Sequence, residues 1–213
     1  MVELIDMYFD LAEEEIGRDA LTPVLRRALL DVPRHLFVPP QLVAMAYQDT
    51  PLPIGFDKTV SKPFMGAVMI ELLNLAPGAR VLEVGTGLGY QAAVMAEIGA
   101  EVRSVEIVEE FAEAAKARLQ ALGHHADVRV GDGSRGWPKH QPFDAILVTA
   151  ASPEPPQPLV EQLKPGGRMV LPLGDKNGQQ LTLMEKAEDG TIVSTAIMPV
   201  VFTQLESATS KMP

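Results

Sequence analysis

The chain contains no cysteine, which removes disulfides, thiolate metal sites and a cysteine nucleophile at once. Its four histidines, His35, His124, His125 and His140, lack the spacing of metal ligands, so no metal site is expected. Positive charge is scarce. Eighteen Lys and Arg against 28 Asp and Glu leave a formal charge of -10 and no basic run, which argues against a nucleic-acid partner, because phosphate binding draws on clustered cations. No apolar segment reaches the length of a membrane span, and the opening MVELIDMYFD carries acids where a secretory leader carries Lys or Arg. A cytoplasmic protein with neither membrane nor nucleic acid as partner is the expectation. With 213 residues, 46% of them hydrophobic, the chain can bury a sizeable core as a single domain, 1–213.

What is present concentrates in one stretch, Arg80 followed by VLEVGTGLGY. Val81, Leu82 and Val84 suit a buried parallel strand, and Gly85, Gly87 and Gly89 let the main chain turn and approach a ligand with no Cβ in the way. Tyr90 to Ile98 reads as a helix whose first amides face the same spot. A second strand, Val102 to Val105, ends in Glu106, about twenty residues beyond the first glycine, where a carboxylate can accept from ribose hydroxyls. Glycines at GxG spacing alone fit a plain turn. Strand, glycine loop, helix, strand and acid in that order point to a nucleotide. The order ExGxGxG, with Glu83 two residues before the first glycine, resembles the S-adenosylmethionine loop of class I methyltransferases. It differs from the GxGxxG of dinucleotide enzymes, and a dehydrogenase reading finds no hydride-transfer partner here.

Along the rest of the chain, Leu4, Met7, Tyr8, Leu11 and Ile16 recur near helical period, and Thr22 with Pro23 reads as the capped start of a second helix. Between Val32 and Pro63 the density of proline opposes regular structure and indicates a long ordered wrap. Phe64 to Leu75 returns to helical spacing. Strands then alternate with helices: Val81 to Val84, Val102 to Val105, Val128 to Val130, Phe143 to Val148 and Arg168 to Leu173, with helices to Ile98, over Val108 to Leu122 and over Pro155 to Leu163. Such alternation predicts an α/β fold, a doubly wound, mostly parallel seven-stranded sheet in a Rossmann-like arrangement with an N-terminal helical cap. LKPGG (163–167) reads as a helix stop with a turn. Gln180 to Glu185 and Thr191 to Val200 read as a closing antiparallel hairpin. The divisions expected are residues 1–75 for helices and wrap, 76–203 for the cofactor-binding core and 204–213 for a polar tail, frayed after Leu205.

In open α/β sheets ligands lie beyond the carboxyl ends of the strands, which selects Gly85 to Gly89, Glu106 with Ile107, Gly131 to Gly133 and Thr149 to Ala151. Asp132 can accept from an exocyclic adenine amine or serve as a turn aspartate, and Glu106 can equally be a solvated strand end.

The segments AYQDTPLPIG and TVSKP, placed after DVPRHLFVPP and before VLEVGTGLGY, with GDG, PFDAILVTAA and LKPGGRMVLPLG following in order, resemble the protein-L-isoaspartate O-methyltransferase family over residues 25 to 203. The resemblance implies methyl transfer from S-adenosyl-L-methionine to the free α-carboxylate of isoaspartyl residues in damaged proteins, yielding S-adenosyl-L-homocysteine and an ester that collapses to a succinimide on the way to repair. It places Thr59 and Ser61 at the reacting groups, with the Ser61 hydroxyl orienting the carboxylate, although TVS could instead cap the helix after it. Cofactor contacts would come from Glu83, Gly85, Thr86, Gly87, Gly89, Glu106, Ile107, Asp132, Gly133 and Thr149. Substrate contacts would come from Ile54, Gly55, Val60 and Val201, with Val200 to Phe202 also readable as core strand. A monomer is expected. Phe56, Asp57, Lys58, Lys62 and Leu88 depart from residues usual in the family, so an aspartate-modifying enzyme acting on a biosynthetic peptide and a non-catalytic binding module both stay open.

Overall fold

The computed structural model describes residues 1–207. Three helices open the chain: α1 (Val2–Leu11), α2 (Glu13–Ile16) and α3 (Pro23–Asp31). The cap read from sequence is present, since Thr22 Oγ1 accepts from Leu25 N at 3.4 Å with Pro23 in the first turn. The proline-rich wrap is ordered, but it holds more regular structure than expected. Two 3₁₀ segments (Arg34–Leu36 and Pro40–Met45) precede an antiparallel hairpin of β1 (Leu52–Gly55) and β2 (Lys58–Val60). Its two turn residues, Phe56 and Asp57, both have positive φ, a demand of tight hairpin turns that Asn and Gly usually meet.

Helix α4 (Pro63–Leu73) is buried at every position, including Glu71. That carboxylate is satisfied: Arg18 Nη1 donates at 2.9 Å, Thr22 N at 3.1 Å and Thr22 Oγ1 at 3.0 Å, as a buried charge requires. There follow β3 (Arg80–Val84), α5 (Tyr90–Glu97), β4 (Glu101–Glu106), α6 (Glu109–Leu122), β5 (Ala126–Val130), β6 (Phe143–Val148), α7 (Gln157–Gln162), β7 (Leu163–Asp175), β8 (Gly178–Lys186) and β9 (Ile192–Val200).

Strands β3 to β9 form one seven-stranded sheet in the order β5-β4-β3-β6-β7-β8-β9. Pairings from β5 to β7 are parallel, and β8 runs antiparallel to both its neighbours. The LKPGG segment does not turn away from the sheet. Leu163 pairs with Phe143 and Arg168 with Ala145 across a register shift, so the glycines accommodate a bulge inside β7. One apolar cluster joins the N-terminal helices, α4 and α5 to one face of the sheet, and a second joins α7 to the other. Because β3 pairs with β4 on one side and β6 on the other, the chain reverses its winding there. A crevice opens at the carboxyl ends of such strands.

Candidate functional site

The glycine loop between β3 and α5 is held from two neighbouring strands. Thr149, just past β6, donates through N to Val84 O at 3.0 Å and through Oγ1 to Gly85 O at 2.9 Å, while Gly85 N donates to Val105 O at 2.8 Å. Glu106, at the end of β4, accepts from Gly87 N at 2.8 Å with one oxygen and from Val108 N at 3.0 Å with the other. It thus ties the loop to the start of α6. Each carboxylate oxygen keeps a second acceptor position, and the residue lines the cleft.

Beneath the loop runs a buried polar chain: Thr86 Oγ1 and Ser104 Oγ are 2.5 Å apart, and Ser104 Oγ donates to Glu83 Oε2 at 2.5 Å. Glu83 is fully buried and its Oε1 has no partner. Burial above all, with the nearby Glu106 adding and the Ser104 hydrogen bond opposing, pushes its carboxyl up to about 8. A carboxyl that holds its proton in the native state and loses it near pH 4.5 when unfolded stabilises the fold at low pH. That contribution declines as pH rises towards 8, by something on the order of 4 kcal/mol. Glu83→Gln, which cannot ionise, is therefore expected to flatten the fall of the thermal midpoint between pH 5 and 9. An unchanged slope would show that Glu83 is not protonated in the fold.

Two adjoining cavities open over the loop, of about 590 and 1430 Å³ counted out to solvent. They share one wall of Ile54, Thr59, Gly85, Gly87, Thr149 and Thr203. The smaller is completed by Glu106, Ile107, Phe111 and Gly133 and by Lys58 and Glu206. The larger takes Val60, Ser61, Lys62, Thr86, Tyr90, Gln91, Val201 and Arg34. Charge differs between them: the smaller has two carboxylates and one cation, with Lys58 paired to Glu206 so that Glu106 is the acid left over, and the larger has two cations and no acid.

Ser61 stands between two anchored points. Its carbonyl accepts from Arg34 Nη2 at 2.7 Å, and Asp49 Oδ1 accepts from Phe64 N at 2.8 Å. The carboxylate of Asp49, reaching from the wrap, thereby serves the first turn of α4, and Ser61 takes no part in capping.

Of the residues expected at the site, the structure brings Thr59, Ser61, Gly85, Thr86, Gly87, Glu106, Ile107, Gly133, Thr149, Ile54, Val60 and Val201 onto these walls. Four lie elsewhere. Glu83 is under the loop. Gly89 turns into α5 with its Cα facing α6, where an added Cβ would meet Ala115 and Leu119 at 3.3 Å. Asp132 directs Oδ1 to Ser134, accepting from N at 3.0 Å and Oγ at 2.6 Å. Gly55 ends β1, pairing with Lys58 across the hairpin, and lines neither cavity.

The end of the described chain closes over the smaller cavity. Leu205 N donates to Ala151 O at 2.7 Å, and Glu206 pairs with Lys58 at 2.5 Å, so residues 203–206 roof the smaller cavity; residues 208–213 lie outside the described residues. Arg34, Tyr90, Gln91 and this roof were not among the expected site residues. Among the described residues no His, Asp and Glu group is placed to hold a metal ion, and no helix is long and apolar enough to cross a membrane.

Solved proteins share this fold. A solved protein-L-isoaspartate O-methyltransferase superposes with a TM-score of 0.82 at 30% identity, over 97% of this chain and 66% of its own. A Plasmodium falciparum protein solved in complex with S-adenosyl-L-homocysteine shares the fold, with a TM-score of 0.78 at 24% identity, over 94% of this chain and 98% of its own. Protein-L-isoaspartate O-methyltransferase 1 of Polaromonas sp. (strain JS666) is 50% identical over 195 residues, covering 91% of this chain and 83% of the relative. A second such enzyme, from Archaeoglobus fulgidus, is 55% identical over 78% of this chain and 77% of its own length. Residues 10–210 match the model of the protein-L-isoaspartate(D-aspartate) O-methyltransferases, and the chain belongs to that family.

Proposed function

We propose that this protein transfers a methyl group from S-adenosyl-L-methionine to the α-carboxylate of isoaspartyl residues in proteins or peptides, the step that leads through a succinimide to repair. The observation that carries this reading is the meeting, at one wall containing Thr59, Gly87 and Thr149, of a cavity that presents Glu106 and a cavity lined by Arg34 and Lys62 with no acid. The cavity with Glu106 suits a ribose, whose hydroxyls need acceptors, and the cationic one suits a carboxylate. Glu106 has acceptor capacity left for the ribose, Ile107, Phe111 and Gly133 offer an apolar, close-fitting seat for adenine, and Gly85 and Gly87 leave room for the amino-acid end. The Plasmodium falciparum relative holds S-adenosyl-L-homocysteine on the same fold. When bound, S-adenosyl-L-methionine supplies an electrophilic methyl group.

A carboxylate is already ionised at neutral pH, so this chain needs no strong base, and its work is alignment. Thr59, on the shared wall, lies where the two ligands meet. Ser61, on the larger cavity only, orients the substrate carboxylate through its hydroxyl, its main chain fixed by Arg34. Ile54, Val60 and Val201, the last 95% exposed, line the peptide path. The same reading makes the protein a cytoplasmic, single-domain monomer with damaged proteins as its partners.

Incubation with an isoaspartyl peptide and methyl-labelled S-adenosyl-L-methionine is expected to place base-labile label on that peptide and none on its aspartyl twin. Binding of S-adenosyl-L-homocysteine with no ester formed would leave only a binding module.

A further inference from the structure

A guanidinium withdrawn from water is ordinarily matched by a carboxylate, because an unpaired buried charge is costly. Arg34 departs from that pattern. It is 2% exposed, yet it takes part in none of the ion pairs among the described residues. Its Nε donates to Ala46 O at 2.8 Å and its Nη2 to Ser61 O at 2.7 Å, and its guanidinium carbon lies 4.8 Å from the Tyr90 ring centre. These bonds engage two of its five N–H groups and leave its charge unmatched. Asp49, the nearby acid that acts on it electrostatically, is already held by Phe64 N and faces Lys62 at 3.4 Å. On the same wall the buried hydroxyl of Tyr90 has no hydrogen-bond partner. In a chain of net charge -10, a cavity walled by Arg34 and Lys62 without one carboxylate is short of an anion.

Resting on the reading above, we propose that Arg34 is the specificity-determining charge of the larger cavity: it selects a substrate carboxylate over an uncharged group of the same shape while anchoring Ser61. An acid bound there completes the pair that the fold leaves open, and an amide does not.

The test is calorimetry in the presence of S-adenosyl-L-homocysteine, with two peptides identical except that one carries the isoaspartyl α-carboxylate and the other its α-amide. The wild-type protein is expected to bind the acid about thirtyfold or more tightly than the amide, the lower range for losing one partner of a buried charge pair. Arg34→Met should bring that ratio close to one with cofactor affinity retained, Arg34→Lys should keep part of it, and Lys62→Met, at a half-exposed position, should change it only about two- to threefold. Equal binding of acid and amide by the wild type overturns the proposal whether or not any variant folds, as does a full ratio in an Arg34→Met protein that still binds S-adenosyl-L-homocysteine. Ester formation is read separately. An enzyme that methylates the peptide without preferring the acid keeps its function and loses this inference, and an acid preference without ester does the reverse.

Discussion

Gly87→Val is expected to weaken S-adenosyl-L-homocysteine binding about a hundredfold or more, equivalent to about 2.8 kcal/mol, because the new side chain occupies ligand space. Gly87 lies on the wall common to both cavities, at φ 52, and an added Cβ would meet nothing nearer than Ile54 Cδ1 at 3.9 Å. A larger side chain there therefore projects into ligand space and not into protein. The left-handed backbone adds strain of about 1–3 kcal/mol for a β-branched residue, so the thermal midpoint should also fall while the protein still folds. Gly87→Ala should sit between the two. Calorimetry of the folded variants checks this, and undiminished affinity in Gly87→Val would mean that the cofactor does not run past this loop.

Ser61→Ala is expected to lower kcat about 10- to 100-fold, the range for removing one hydrogen bond to a charged group, with S-adenosyl-L-homocysteine affinity nearly unchanged. The physical reason is the division of labour between the cavities. Ser61 lines only the larger one, and its main chain is fixed by Arg34 whatever its side chain is. Since Asp49 supplies the bond to the first turn of α4, loss of the hydroxyl removes no helix cap, and the thermal midpoint should hardly move. Steady-state kinetics with an isoaspartyl peptide separates the effects; a variant with normal kcat would remove Ser61 from the reaction.

The parts of the site legible in the sequence are those governed by local pattern. The β3 strand, the glycine loop and α5 follow from an apolar run, residues without Cβ and a helical repeat standing side by side, and Glu106 follows from the distance to the next strand end. Side chains whose surroundings come from far along the chain were not legible in the same way. Gly89 looks like its two neighbours, but what it faces is Ala115 and Leu119 of a later helix. Glu83 shares a motif with the loop, but strand alternation turns it inward beneath Thr86 and Ser104. Asp132 spends its Oδ1 on a local turn. Glu206 sits in a polar stretch that looks frayed until Lys58, 148 residues away, pairs with it. Arg34, embedded in VPRHLF, carries no local signal of its surroundings; only the fold reveals that its partners are Ala46 O, Ser61 O and the Tyr90 ring.

Whether methyl donor and acceptor meet at one shared wall is measured most directly by a crystal structure with S-adenosyl-L-homocysteine and an isoaspartyl peptide bound together. The adenosyl group is expected against Glu106 and Ile107, the sulfur at the wall formed by Thr59, Gly87 and Thr149, and the α-carboxylate in the larger cavity on the Ser61 and Arg34 side. A cofactor seated in the larger cavity, or a carboxylate held away from that wall, would contradict it.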